Sequence, residues 1–159
     1  MDKVIPCLWF NGTAEEAANF YVTLLPDSRV DAVHRSPSDY PAGAAGDVLT
    51  VEFTLAGRRY VGLNGGPEFG FTEAVSFQIM CDDQAEVDRL WEAISADGGQ
   101  PGPCSWIKDR WGLSWQVVPR VMIEMLAAPD REAAGRAMRA MMTMGKLDIA
   151  ALQKAFDDG

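Results

Sequence analysis

Pro6-Cys7-Leu8-Trp9-Phe10, a turn at Asn11-Gly12-Thr13, and Ala14-Glu15-Glu16-Ala17 running on to Phe20-Tyr21 form a strand-to-helix unit. The same unit is written again as Phe77-Gln78-Ile79-Met80-Cys81, a turn, and Ala85-Glu86-Val87-Asp88 running on to Leu90-Trp91. Each copy is followed by a hairpin with a glycine in its turn: Leu55-Ala56-Gly57-Arg58 in the first, Arg110-Trp111-Gly112-Leu113 in the second. A strand–helix–hairpin module written twice predicts two pseudo-symmetric sheets with a shared cleft.

Outward from these stretches, Val4 to Phe10 reads as a buried strand. Thr13 with Glu16 three residues later reads as a capping box opening a helix to about Leu25, where Pro26-Asp27 ends it. Arg29 to Arg35 is a short strand. Ser36 to Gly46, rich in Pro, Gly, Ala and Ser, reads as a mobile loop. Val48 to Leu55 and Arg59 to Asn64 form a hairpin. In the second copy, residues 75–81 form a strand, Asp82 or Asp83 caps a helix to about Ala96, and Asp97-Gly98-Gly99 stops it. Gln100 to Pro103 is a loop or short edge strand, and Ser105 to Asp109 with Leu113 to Val118 is the last hairpin. Beyond Pro119 the periodicity is helical, over 121–126, 131–144 and 147–156. The expected organisation is one domain over 1–120, built of modules at about 3–64 and 74–119, and a helical extension over 121–159.

Composition narrows the function classes. Of 159 residues, 48% are hydrophobic and 23% charged, as in globular domains. A net charge of −9 repels phosphate backbones and anionic lipid, so nucleic-acid and membrane-surface roles are not expected. No apolar run is long enough to span a bilayer. Without a signal-peptide pattern at Met1 to Pro6, a cytoplasmic protein is expected. Cys7, Cys81 and Cys104 have neither metal-ligand spacing nor an even disulfide count. Cys7 and Cys81, in apolar strands, read as reduced, buried thiols. Six of the eight methionines fall between Met122 and Met144, at spacings that suit helix packing or a subunit contact.

Strand alternation selects candidate ligand contacts. With Leu8 and Phe10 toward the helix, Cys7 and Trp9 face the cleft. The same parity places Ser76, Gln78 and Met80, and then Ser114, Gln116 and Val118, on that side. Aligning the two glycine turns sets Val61 equivalent to Gln116. The ligand-binding candidates are Cys7, Trp9, Leu63, Ser76, Gln78, Trp106, Ser114 and Gln116, a neutral floor rimmed by aromatics that suits a flat or apolar ligand. Glu52, between Val51 and Phe53, is the one catalytic candidate, a lone carboxylate suited to proton transfer if it faces the cleft. His34, the only histidine, reads as a surface residue beside the loop, and Asp109-Arg110 as a local ion pair or turn contact.

These motifs resemble the glyoxalase/bleomycin-resistance/extradiol-dioxygenase (vicinal oxygen chelate) superfamily. More narrowly, Pro6 to Gly12 with Ala14 to Ala17 and Phe20-Tyr21, Leu63-Asn64-Gly65-Gly66-Pro67, Ala74-Val75-Ser76-Phe77, and Trp106…Asp109-Arg110-Trp111-Gly112…Trp115-Gln116 resemble its PhnB-like branch. Members of that branch often carry the label 3-demethylubiquinone-9 3-methyltransferase. The resemblance implies an α+β fold of two paired βαβββ modules, a homodimer and a cup-shaped site. It also implies, for catalytic members, a divalent metal held by His and Glu or Gln. Those ligand positions fall near Cys7, Val61, Gln78 and Gln116, a poor donor set, so no metal of this kind and no other cofactor is expected. No G-x-G turn follows any strand, so the methyltransferase label finds no S-adenosylmethionine motif. Three functions follow as expectations. The first is metal-independent binding of a small apolar or aromatic molecule. The second is a metal-dependent lyase, isomerase or dioxygenase using Glu52, Gln78 or Gln116. The third is a dimeric scaffold built on the Met-rich tail.

Overall fold

The computed structural model describes residues 3–158. The chain divides into two compact units, one ending at Phe71 and the other beginning at Thr72. The first unit runs β1 (Cys7–Phe10), α1 (Ala14–Tyr21), β2 (Arg29–Arg35), β3 (Val48–Leu55) and β4 (Arg58–Asn64). The second repeats it as β5 (Ser76–Cys81), α2 (Gln84–Ser95), β6 (Gln100–Pro101), β7 (Trp106–Lys108) and β8 (Ser114–Pro119), then adds α3 (Arg120–Ala127), α4 (Arg131–Met141) and α5 (Ile149–Asp157). The sheets have the orders β1-β4-β3-β2 and β5-β8-β7-β6. In each, the first and last strands of the module pair in parallel and the remaining pairs are antiparallel. These are the two βαβββ modules that the resemblance implies, followed by the helices that the periodicity beyond Pro119 predicts.

In the first unit, α1 buries Ala14, Ala17, Ala18 and Tyr21, a stripe at helical spacing, against β3 and β4. Tyr21, Phe53 and Tyr60 form a run of rings, with centroids 6.1 Å and 5.4 Å apart. The β3–β4 turn places Ala56 and Gly57 at φ 47° and 76°, the left-handed pair of a tight hairpin. The Ser36 to Gly46 loop is knit to itself. Gly46 N–H donates to Ser36 O at 2.8 Å, Ala45 N–H to Asp39 Oδ1 at 2.9 Å, and Ser36 N–H to Asp47 O at 2.8 Å.

Three local expectations are corrected. β1 begins at Cys7 rather than Val4, because Pro6 has no N–H and only its carbonyl meets β4, accepting from Val61 at 3.0 Å. Thr13 makes no side-chain cap; Asn64 at the end of β4 takes that role, its Oδ1 accepting from Ala14 N–H at 2.9 Å while its Nδ2 donates to Val48 O. α1 stops at Tyr21, and the chain tightens into i→i+3 bonds through Leu24.

In the second unit, Asp83 caps α2 by accepting from Glu86 N–H at 2.8 Å. Val87, Leu90 and Ile94 are buried on α2, which packs on β5, β7 and β8, where Ile79, Ile107, Trp115 and Val117 are buried as well. A second core joins Val118 to Met122, Met125, Ala137, Leu147 and Leu152, with Met80 packed against it. Val118, expected to face the cleft, is instead covered by the C-terminal helices. Most of the Met stripe packs here, while Met138 and Met142 stay exposed. No helix among the described residues is long and apolar enough to cross a membrane.

Candidate functional site

The face of the first sheet turned away from α1 carries two registered rows. Cys7, Val61, Glu52 and Ala32 form one; Trp9, Leu63, Thr50 and His34 form the next. Cys7 is exposed, which corrects the expectation of a buried thiol: its parity turns it away from the core that takes Leu8 and Phe10. The burial it does have still pushes its thiol pKa up. Trp9 is anchored rather than free. Its Nε1–H donates to Gly66 O at 2.9 Å, its ring lies where a Cβ on Gly65 would stand, and Phe69 meets it edge-on at 4.9 Å.

Glu52 shares the face of Cys7 but is not a lone carboxylate. Arg59 Nη2 donates to its Oε2 at 3.0 Å, and His34 Nε2 lies 3.2 Å from its Oε1. Arg59 and His34 are diagonal cross-strand neighbours of Glu52, a separation long side chains span. His34 is exposed, as expected. Both oxygens of Glu52 are therefore engaged by neighbouring side chains of its own sheet.

The second sheet presents Ser76 beside Ser114 and Lys108, and Gln78 beside Gln116 and Trp106. The two amides bind each other, Gln78 Nε2 donating to Gln116 Oε1 at 3.1 Å, and Gln116 Nε2 donates to Ser76 Oγ at 2.8 Å. At the four positions where the resemblance places metal ligands stand a thiol held toward its protonated form, a valine and two amides spent on hydrogen bonds. That set does not suit a divalent ion of the His and Glu kind. Among the described residues no group of three or more His, Cys, Asp or Glu side chains could hold a metal ion.

On this sheet a groove of about 410 Å³ opens along β6, β7 and β8. Pro101, Pro103 and Trp106 give it apolar walls, and Gln100, Lys108, Glu73 and Ser114 its polar groups. Ser114 is 1% exposed, and its Oγ has no hydrogen-bond partner among the described residues. A buried hydroxyl left unpaired costs about 1–3 kcal/mol, so a polar group that a ligand could satisfy stands in the wall. Lys108 pairs with Glu73, and that hydrogen bond holds Glu73 below the ordinary carboxylate range.

The groove's corner is strained: Cys104 and Ser105 have φ 53° and 75°, left-handed values that non-glycine residues seldom adopt. The segment between α4 and α5 holds it in place. Cys104 N–H donates to Met144 O at 2.8 Å and Ser105 N–H to Gly145 O at 2.9 Å. Behind the groove, buried Asp109 gathers the β7–β8 turn, accepting from Trp111 N–H, Leu113 N–H and Trp115 Nε1–H at 2.9, 3.1 and 2.9 Å. This is the expected turn contact. The ion pair, however, goes elsewhere: Arg110 binds Asp97 at 3.0 Å and lies over the Trp111 ring.

Of the expected ligand contacts, Trp106 and Ser114 lie in the groove, while Ser76, Gln78 and Gln116 form the polar chain on the same face. Cys7, Trp9 and Leu63 belong to the first unit's sheet. Sequence reasoning missed Lys108, although it stands opposite Ser114 in a hairpin whose parity was readable. It also missed Glu73, which arrives from the linker without any periodic signal.

The family model described as 3-demethylubiquinone-9 3-methyltransferase matches residues 2–118. Among solved structures, a putative 3-demethylubiquinone-9 3-methyltransferase, the PhnB protein from Bacillus cereus, is 30% identical, with 74% of this chain and 99% of that chain covered and a TM-score of 0.65. Protein PA1353 from Pseudomonas aeruginosa is 21% identical over 75% of this chain and 98% of that chain (TM-score 0.60). The fosfomycin resistance protein FosX from Mesorhizobium loti is 16% identical over 80% and 100% (TM-score 0.51). The last two share the fold. No curated protein matches the sequence. The matched residues take in both βαβββ modules and every motif of the initial resemblance, and on that ground the chain belongs to the PhnB-like family described as 3-demethylubiquinone-9 3-methyltransferase.

Proposed function

We propose that this protein binds a small, largely apolar molecule on the open face of its second sheet, without a metal of the His and Glu kind. The observation that carries the reading is the groove itself: apolar walls, a volume within the usual range for ligand sites, and one buried hydroxyl lacking a partner. The chain of Ser76, Gln116 and Gln78 beside it supplies further neutral donors and acceptors. The methyltransferase in the family's description draws no support from the fold. Each sheet mixes parallel and antiparallel pairs, and neither has the glycine-rich turn of a doubly wound nucleotide site.

The test is elemental analysis of protein purified without chelator, with thermal shift against divalent ions and a panel of neutral aromatic and carboxylate-bearing compounds. We expect metal well below one ion per chain, no ion-dependent shift, and stabilisation by a subset of the organic panel. Stoichiometric metal would overturn this reading and restore the metal-dependent lyase, isomerase or dioxygenase. A flat response to every compound would overturn binding altogether.

A further inference from the structure

Resting on the binding reading above, we infer that the groove on the second sheet selects a planar aromatic carboxylate, whose carboxylate bridges Ser114 and Lys108. Ser114 and Lys108 are directly opposed residues of adjacent antiparallel strands, so their side chains rise side by side on one face. The Ser114 hydroxyl is buried and unpartnered, and it needs an acceptor. The Lys108 ammonium has three donors, and the structure shows one partner for it, Glu73.

Glu73 is the exchangeable member of that pair. Its side chain is 61% exposed, against 35% for Lys108. It precedes the first strand of the unit rather than standing in the sheet. A carboxylate entering the groove offers two acceptor oxygens in a plane, one for each waiting donor, and takes over the role of Glu73. The walls say what must be attached to it. Trp106, Pro101 and Pro103 present flat apolar surfaces, which favour a ring over a branched aliphatic body. Bound there, the ligand hides the hydroxyl's unmet demand, keeps Lys108 neutralised, and covers the indole.

The probes are 2-naphthoate and its uncharged analogue 2-naphthamide, titrated into the full-length chain and followed by NMR at the Trp106 indole N–H and by calorimetry. Naphthoate is expected to saturate and to bind at least about tenfold more tightly than naphthamide, the difference a charge-assisted contact supplies. Lys108→Met should reduce naphthoate to the level of the amide, and Glu73→Gln should tighten it by removing the competing carboxylate. Ser114→Ala should weaken naphthoate while leaving the free protein as stable or more so, because it removes an unpaired buried group. A residue that merely supports the fold would lower both together. Equal binding of acid and amide, unmoved by Lys108→Met, would overturn the carboxylate assignment while leaving an apolar binding site standing. Silence of the Trp106 signal toward both probes, together with a flat response to the neutral panel, would remove the site itself.

Discussion

At the residue scale, two cysteines in matching strands show how parity governs chemistry. Cys7 and Cys81 each belong to the first strand of a module, but Cys81 points into the core and Cys7 away from it. Burial, followed by the nearby Glu86 charge, pushes the Cys81 thiol up to about 12. Cys7 is raised by burial alone, and it remains reachable. Native protein treated with a disulfide reagent at mildly alkaline pH should therefore be modified at Cys7, more slowly than a free model thiol and faster as pH rises. Cys81 should react only after denaturation. Peptide mapping that finds Cys81 modified in folded protein would contradict this assignment. The linkage has a definite sign. Between the ordinary thiol range and about 12, the folded chain holds a proton at Cys81 that the unfolded chain has lost, so stability falls as pH rises through that window.

At the scale of elements, the start of α1 is secured from outside the helix. Asn64, 5% exposed, satisfies Ala14 N–H and Val48 O from the end of β4, while Thr13 makes no cap. Asn64→Ala should cost about 1–2 kcal/mol in denaturant unfolding, and Thr13→Ala no more than about 0.5 kcal/mol. The reverse ranking would reinstate the capping box read from Thr13 and Glu16. That reading missed Asn64 because a local motif is visible in sequence, whereas a cap 50 residues away depends on the β1–β4 pairing. Elements were legible where alternation or helical spacing was strong, as in β2 and β3, whose bounds the pattern anticipates. The open-face residues were legible for the same reason. The groove was not. Its walls come from a two-residue edge strand, a strained corner and a linker glutamate, none of which has a period to read.

At the scale of the whole molecule, the family match ends near the close of β8, while the helices beyond it belong to the second unit's packing. Leu147 and Leu152 are fully buried there, and Gln84 at the start of α2 is bonded to Leu147 O and Ile149 N–H at 3.0 and 2.8 Å. Leu152→Ala should cost about 2–5 kcal/mol. It should also speed hydrogen exchange at the Cys104 and Ser105 amides, whose acceptors Met144 and Gly145 stand in the segment that leads into α5. Unchanged exchange at those two amides would show that the corner keeps its shape without the extension's support.

The bonds from Cys104 and Ser105 to Met144 and Gly145 also set an order of events during synthesis. A ribosome that has made the chain through β8 has released every residue of the first unit's sheet, so that unit can close while translation continues. The second unit cannot. Its left-handed corner has no backbone acceptors until some forty residues later in the chain, and the α2 terminus waits for residues later still. A stalled or truncated chain would therefore carry a finished first module and an unfinished second. Its exposed Val118 and Met80 would be ready substrates for chaperones or proteases.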